Sequence, residues 1–168
     1  MLTITVPGST ANLGPGFDSI GLAITKYLKL EVSLNDHWCF IPKTEEVHDI
    51  PLDKENLIYI IASNLARQYN KILPPCSINV WSNIPLARGL GSSAAAIAAG
   101  IELANALCEL ELTQEEKVRF GSVSEGHPDN IGASLMGGLV VGRHNDESTH
   151  LVQINDLDID LVVVIPPY

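Results

Sequence analysis

An α+β fold, in which a mixed sheet carries helices on one face, is what the order of segments in this sequence predicts. Three observations carry that expectation. Apolar and polar residues alternate at 2–6, 27–34 and 77–82, the period of two of half-buried strands. Helical spacing or helix-forming composition occupies about 56–69, 92–108 and the stretch from 113 onward. The chain then returns to short β-branched runs, so strands and helices are mixed and do not strictly alternate. With 168 residues, 46% of them hydrophobic, the chain can bury one sizeable core, and nothing marks a linker; a single domain, 1–168, is expected.

Each element has its own local reason. The first strand, 2–6, ends at Pro7-Gly8, and a loop of turn formers follows, with Asn12, Gly14, Pro15, Gly16 and Asp18. The strand at 27–34 is expected to pair as a hairpin with 38–41 across Asn35-Asp36. After Pro51, Asp53 stands where it would cap a helix over 56–69, whose Leu57, Ile61 and Leu65 form one stripe. Pro74-Pro75 precedes the strand at 77–82, and Trp81 there is expected to pack against neighbours, because no other aromatic accompanies it as a base-stacking surface would require. The helix that runs to about Cys108 is so rich in alanine and isoleucine that it should be buried nearly all round. Thr113-Gln114-Glu115-Glu116 has the form of a capping box and starts another helix. A further helix begins near Pro128, and Gly137-Gly138 turns the chain into strands at 139–142, 151–154 and 161–165. His37, His48, His144 and His150 lie in polar stretches with no second ligand at metal spacing, and are read as surface residues.

The stretch 84–100, IPLARGLGSSAAAIAAG, says most about function. A glycine-rich loop opens directly into an alanine-rich helix. Glycine permits positive φ and close backbone approach, and the first-turn N–H groups lack intrahelical partners at the positive end of the helix dipole. Such an end suits a phosphate, with Ser92 and Ser93 adding hydroxyls for phosphate oxygens or Mg²⁺. The P-loop pattern needs a lysine before the serine and fails here. The dinucleotide fingerprint fits Gly89, Gly91 and Ala94, which would make this an oxidoreductase domain, yet the long entry through Asn83-Ile84-Pro85 sets the glycines away from the strand end. A glycine start to a buried helix with no ligand is the remaining alternative.

Composition narrows the partners. A net charge of −10 and a pI near 4.7 argue against a nucleic-acid or anionic-membrane surface, which would be met by Lys and Arg. Cys39, Cys76 and Cys108 are odd in number and widely spaced, which points to free thiols in the reducing cytoplasm. The N-terminus has no basic region followed by a long apolar one, and no run approaches the ~18 to 20 apolar residues of a membrane span.

Three segments together resemble a known family. Pro85-Leu86-Ala87-Arg88-Gly89-Leu90-Gly91-Ser92-Ser93-Ala94-Ala95 is similar to the phosphate-binding motif of the GHMP kinases, the superfamily of galactokinase, homoserine, mevalonate and phosphomevalonate kinases. Residues 7–18, PGSTANLGPGFD, resemble the N-terminal motif of the homoserine kinases within it, and Glu125-Gly126-His127-Pro128-Asp129-Asn130 resembles their middle motif. Members of that family are close to twice this length, so the resemblance covers an N-terminal half.

What the resemblance implies is specific. The fold would be the GHMP kinase N-terminal domain, similar to ribosomal protein S5 domain 2, followed in the family by a ferredoxin-like domain that this chain lacks. ATP phosphates would lie on residues 85–95. The reaction would be transfer of the γ-phosphoryl group to the side-chain hydroxyl of L-homoserine, with another GHMP small-molecule kinase or a non-catalytic half as alternatives. Asn12 and Asp18 would hold the polar ends of the amino acid, His127 would shape its pocket and Asn130 would orient the hydroxyl. Asp129, beside Asn130 in the reacting region, is given a structural or electrostatic part, since homoserine kinases do without a general base. Mg²⁺ would take Ser93 and Glu125, although Val123 stands where similar sequences often have glutamate. A homodimer is one assembly open to such a domain.

Overall fold

The computed structural model describes residues 1–155, 157 and 159–162. Among them, six strands form one mixed sheet and four α-helices cover one of its faces. The strands are β1 (Leu2–Ala11), β2 (Ile20–Leu34), β3 (Cys39–Pro42), β4 (Cys76–Ser82), β5 (Leu139–His144) and β6 (Thr149–Ile154). The helices are α1 (Leu57–Gln68), α2 (Ser92–Cys108), α3 (Gln114–Glu125) and α4 (Asp129–Met136). This is the predicted α+β architecture.

β2 organises the sheet. Leu28 pairs with both Val6 and Ser82, and Leu22 with both Thr10 and Leu139, so β1 takes one edge of β2 while β4 and β5 share the other at opposite ends. The alternation seen in the sequence sets the faces: Ile4, Val6, Leu28, Leu30, Val32, Ile78 and Val80 point into the core, whereas Thr3 and Thr5 face solvent. Trp81 sits on that outer face under the Lys29 ammonium, 5.1 Å from the ring centroid, so it does pack against a neighbour, a charged one. α2 is buried along most of its circumference, with Ala94, Ala95, Ala98, Ala99, Ile101 and Leu103 all inaccessible or nearly so, and it is the centre of the helical layer.

Several expectations are corrected. The segment at 38–41 does not form a hairpin with the second strand: β3 runs parallel to β4 at the sheet edge, because β4 takes one edge of β2 over 28–34 and β1 takes the other over 28–32. Asp53 does not cap α1. Its carboxylate accepts the Glu55 N–H in a preceding turn, and Asn56 is the cap, with Oδ1 accepting the Ile58 N–H at 3.0 Å. β1 continues past Pro7-Gly8 to Ala11 by shifting register between Pro7 and Ser9. His144 is half-buried, its Nδ1 2.7 Å from Thr149 Oγ1 and 3.2 Å from an Arg119 nitrogen that ties α3 to the β5–β6 hairpin. The capping box at Thr113 is present in full. Of the strand expected at 161–165, residues 161–162 are not in a strand and 163–165 lie outside the described residues.

Candidate active site

After β4 the chain crosses to α2 through residues 83–91. Ile84 and Leu90, both buried, pin the two ends of this loop, and the segment 86–89 between them is exposed. Gly91 is the N-cap of α2 at φ 68°, a left-handed conformation, and a Cβ there would overlap Ser9 Oγ. Glycine is therefore required on two counts, backbone angle and close approach. α1 and α3 begin with side-chain caps from Asn56 and Thr113, but among the described residues none caps α2. The first amides of this 17-residue helix are left for an anion at its positive end. Half-buried Ser92 and exposed Ser93 stand at the same place.

Beside this helix start lies an apolar cleft of about 220 Å³, lined by Val47, Ile50, Leu57, Leu86, Ala96 and the two serines, among others. That is below the roughly 300–1,000 Å³ of pockets for drug-sized ligands.

The loop after β1 is built by Asn12. At φ 67°, it accepts the Asp18 N–H on Oδ1 at 2.7 Å and the Gly16 N–H on its carbonyl at 2.8 Å. Leu13, Phe17 and Asp18 also have positive φ, so the loop is held in an unusual shape with the Asp18 carboxylate exposed. Asn12 thus acts as the turn former that its residue type suggests.

At the start of α4, Asp129 is buried, with 1% of its side chain exposed. Its Oδ1 lies 2.9 Å from His127 Nδ1 and accepts the Asn130 N–H at 2.6 Å. α4 sits close against β2 because Gly21 has no Cβ; one there would overlap the Asp129 carbonyl oxygen. His127 is partly exposed beside it.

Ser9 joins these parts, and it was not among the residues singled out from the sequence. Fully buried on β1, it donates its backbone N–H to the Leu90 carbonyl at 3.1 Å and its hydroxyl to Asn130 Oδ1 at 2.9 Å, with Ser134 Oγ at 3.5 Å. The phosphate-type loop, bonded to the Ser9 backbone, and the middle motif, whose Asn130 is 121 residues from Ser9, therefore meet at this one residue of the N-terminal motif. A small hydroxyl between Gly8 and Thr10 gives no periodic signal, which is why composition could not mark it.

Glu125, the last residue of α3, has its carboxyl pushed above the ordinary range, chiefly by burial; Asp129 adds to the rise and His127 opposes it. Its Oε2 is inaccessible and has no hydrogen-bond partner among the described residues. An orphaned carboxylate oxygen of this kind fits a cation ligand. No group of three or more His, Cys, Asp or Glu that could hold a metal occurs among the described residues, so a cation here would find one protein carboxylate and would need its other oxygens from its ligand and water. Val123, two residues earlier and so on another face of α3, is largely exposed; a glutamate there would not point with Glu125.

The antiparallel β2–β4 pairing and the long loop before Gly89 do not meet the dinucleotide fingerprint, which needs a parallel sheet with its first glycine at the strand end. Residues 56–138, from the cap of α1 to the turn into β5, match the GHMP kinases N terminal domain, and they contain both the loop and the middle motif. Over its whole length the chain is 57% identical to the homoserine kinase of Bacillus licheniformis and 58% identical to that of Bacillus velezensis, covering 55% and 54% of those proteins. Over residues 56–138, then, the chain carries a GHMP kinase N-terminal domain. It spans about half the length of the curated relatives it matches. The GHMP fold is seen again in a solved structure of a candidate homoserine kinase from Listeria monocytogenes, 42% identical, which superposes with a TM-score of 0.85 over all of this chain and 62% of that one. No helix among the described residues is long and apolar enough to cross a membrane.

Proposed function

We propose that this chain is the nucleotide-binding domain of a homoserine kinase, which transfers the γ-phosphoryl group of ATP to the side-chain hydroxyl of L-homoserine on the route to threonine. The observation that carries the reading is the uncapped start of α2 held against Asn130 through Ser9. Phosphoryl transfer asks mainly for alignment and charge stabilisation; two elements joined at one buried serine suit the first, and the amides at the start of α2 suit the second. Identity above 55% to homoserine kinases supports the choice of acceptor.

In this reading the phosphates lie on residues 85–95, against the free amides of the first turn of α2, and the base enters the apolar cleft beside them. The exposed Asp18 carboxylate faces the substrate ammonium, a charge-assisted bond, while Asn12 and His127 border the same space. Asn130 orients the hydroxyl. Its oxygen forms the new bond to the γ-phosphorus as the bond to the β–γ bridging oxygen breaks, ADP departs with that electron pair, and the hydroxyl proton passes to phosphoryl oxygen and water. Asp129, buried and already engaged by its neighbours, holds the loop and takes no proton. Ser93 and Glu125 would hold Mg²⁺, which when bound draws charge from the phosphate oxygens. A second domain, in the remaining length that the relatives have, would complete the acceptor pocket. The three free cysteines accord with a cytoplasmic enzyme.

The test is phosphorylation by the full-length protein, with Mg-ATP, of L-homoserine, mevalonate, L-serine and galactose in parallel, followed by phosphorus NMR. Product from homoserine is expected; product from another acceptor alone would remove the substrate assignment, and product from none would remove the kinase reading.

A further inference from the structure

We infer that Ser9 is a positioning residue: it fixes which way the Asn130 carboxamide points and ties that orientation to the nucleotide loop. The inference rests on the kinase reading for its kinetic test, but its geometry is independent. Ser9 is inaccessible to solvent, and its two donors act in opposite directions, the backbone N–H on Leu90 of the loop and the hydroxyl on Asn130 Oδ1. A hydroxyl has one proton, and here it is committed to Asn130. The carboxamide oxygen is thereby occupied, and the Asn130 NH₂, whose one contact among the described residues is a long 3.5 Å approach to Asp129 Oδ1, is left as the group presented to an acceptor hydroxyl.

Orientation matters chemically. An NH₂ donating to the substrate oxygen leaves one lone pair of that oxygen for the γ-phosphorus. A carboxamide turned by half a rotation would instead offer its carbonyl oxygen and draw the hydroxyl proton toward itself, rotating the lone pairs out of line. Gly91 reinforces the arrangement, because the space a Cβ would fill there is occupied by Ser9 Oγ. The loop and Asn130 therefore cannot shift independently of this side chain.

The test is a cycle of Ser9→Ala, Asn130→Ala and the double variant in the full-length protein, with whichever acceptor the parent phosphorylates. Ser9→Ala keeps the backbone bond to Leu90, so Mg-ATP affinity should stay within about twofold while kcat falls by about five- to tenfold, the loss of one oriented hydrogen bond. In the Asn130→Ala background the same change should lower kcat no further. Additive losses, or a fall in nucleotide affinity with kcat unchanged, would overturn the inference. A second measurement is independent of turnover: the two side-chain amide proton NMR signals of Asn130, assigned by their disappearance in Asn130→Ala, stay separate in every form because rotation about the amide C–N bond is slow, but both should change chemical shift in Ser9→Ala and Ser9→Cys as the hydrogen bond to the carboxamide oxygen is lost or weakened. An unchanged pair in both variants would overturn it as well. A parent that phosphorylates an acceptor other than homoserine removes the substrate assignment and leaves the cycle intact; with no active acceptor the NMR result decides alone.

Discussion

Glu125 is the side chain at which structure and stability conflict most plainly. Burial raises its carboxyl above the ordinary value near 4.5, and its Oε2 has no hydrogen-bond partner among the described residues. Below that value the carboxyl is protonated in both the folded and the unfolded chain, and burial carries no ionic penalty. As pH rises from there through the higher folded value, the unfolded state ionises first and stability is lost. Glu125→Gln should therefore melt at a higher temperature than the parent at pH 7, and the gap should close near pH 4, measured without nucleotide or divalent cation. A parent as stable as the variant at both pH values would show that the carboxylate is compensated in the folded state. If Glu125 holds Mg²⁺ as proposed, added Mg²⁺ with ATP should narrow the gap at pH 7, since only the parent would gain a charge partner there.

At the scale of elements, the contact between α4 and β2 decides where the middle motif sits. Gly21 makes it possible, and Gly21→Ala would drive a methyl group into the Asp129 carbonyl. The expected cost is about 1–3 kcal/mol in urea unfolding with an unchanged m-value, together with lower turnover, because Asn130 moves with the helix start. What the sequence revealed about elements followed their locality. The Thr113 capping box, the α2 boundaries and the β4 alternation depend on neighbours within a few residues, and all were legible. The partner of β3 was not, since it depends on which edges of β2 were already taken, a fact written in β1 and β4 and absent from 35–41. Asp53 misled for a related reason: it and Asn56 are both good caps, and the choice was made by the turn that Asp53 closes onto Glu55. In the site, the loop glycines stood out by type and spacing and Asn130 by its place in a motif that resembles a family's, while Ser9 is distinguished by burial and by the two hydrogen bonds it donates in the folded chain.

Across the whole molecule, the core is held in register by β2, whose Leu30 is fully buried and pairs with Ile4 on one side and Val80 on the other. Leu30→Ala should cost about 2–5 kcal/mol by chemical denaturation, more than the same truncation of the largely exposed Leu34 at the strand end. The fold class was legible because it needs only the order and type of elements; the convergence of three motifs on one spot was not, because it is a property of the closed sheet. That convergence also has a history in time. Ser9 and Asn130 are 121 residues apart, so a ribosome adding about 5–20 residues each second finishes the first roughly 6–24 s before the second. In the last third of that interval the nascent chain holds both the glycine loop and Ser9 with no amide to receive the serine's hydroxyl, and the site exists only once α4 has been synthesised and has come to rest on β2.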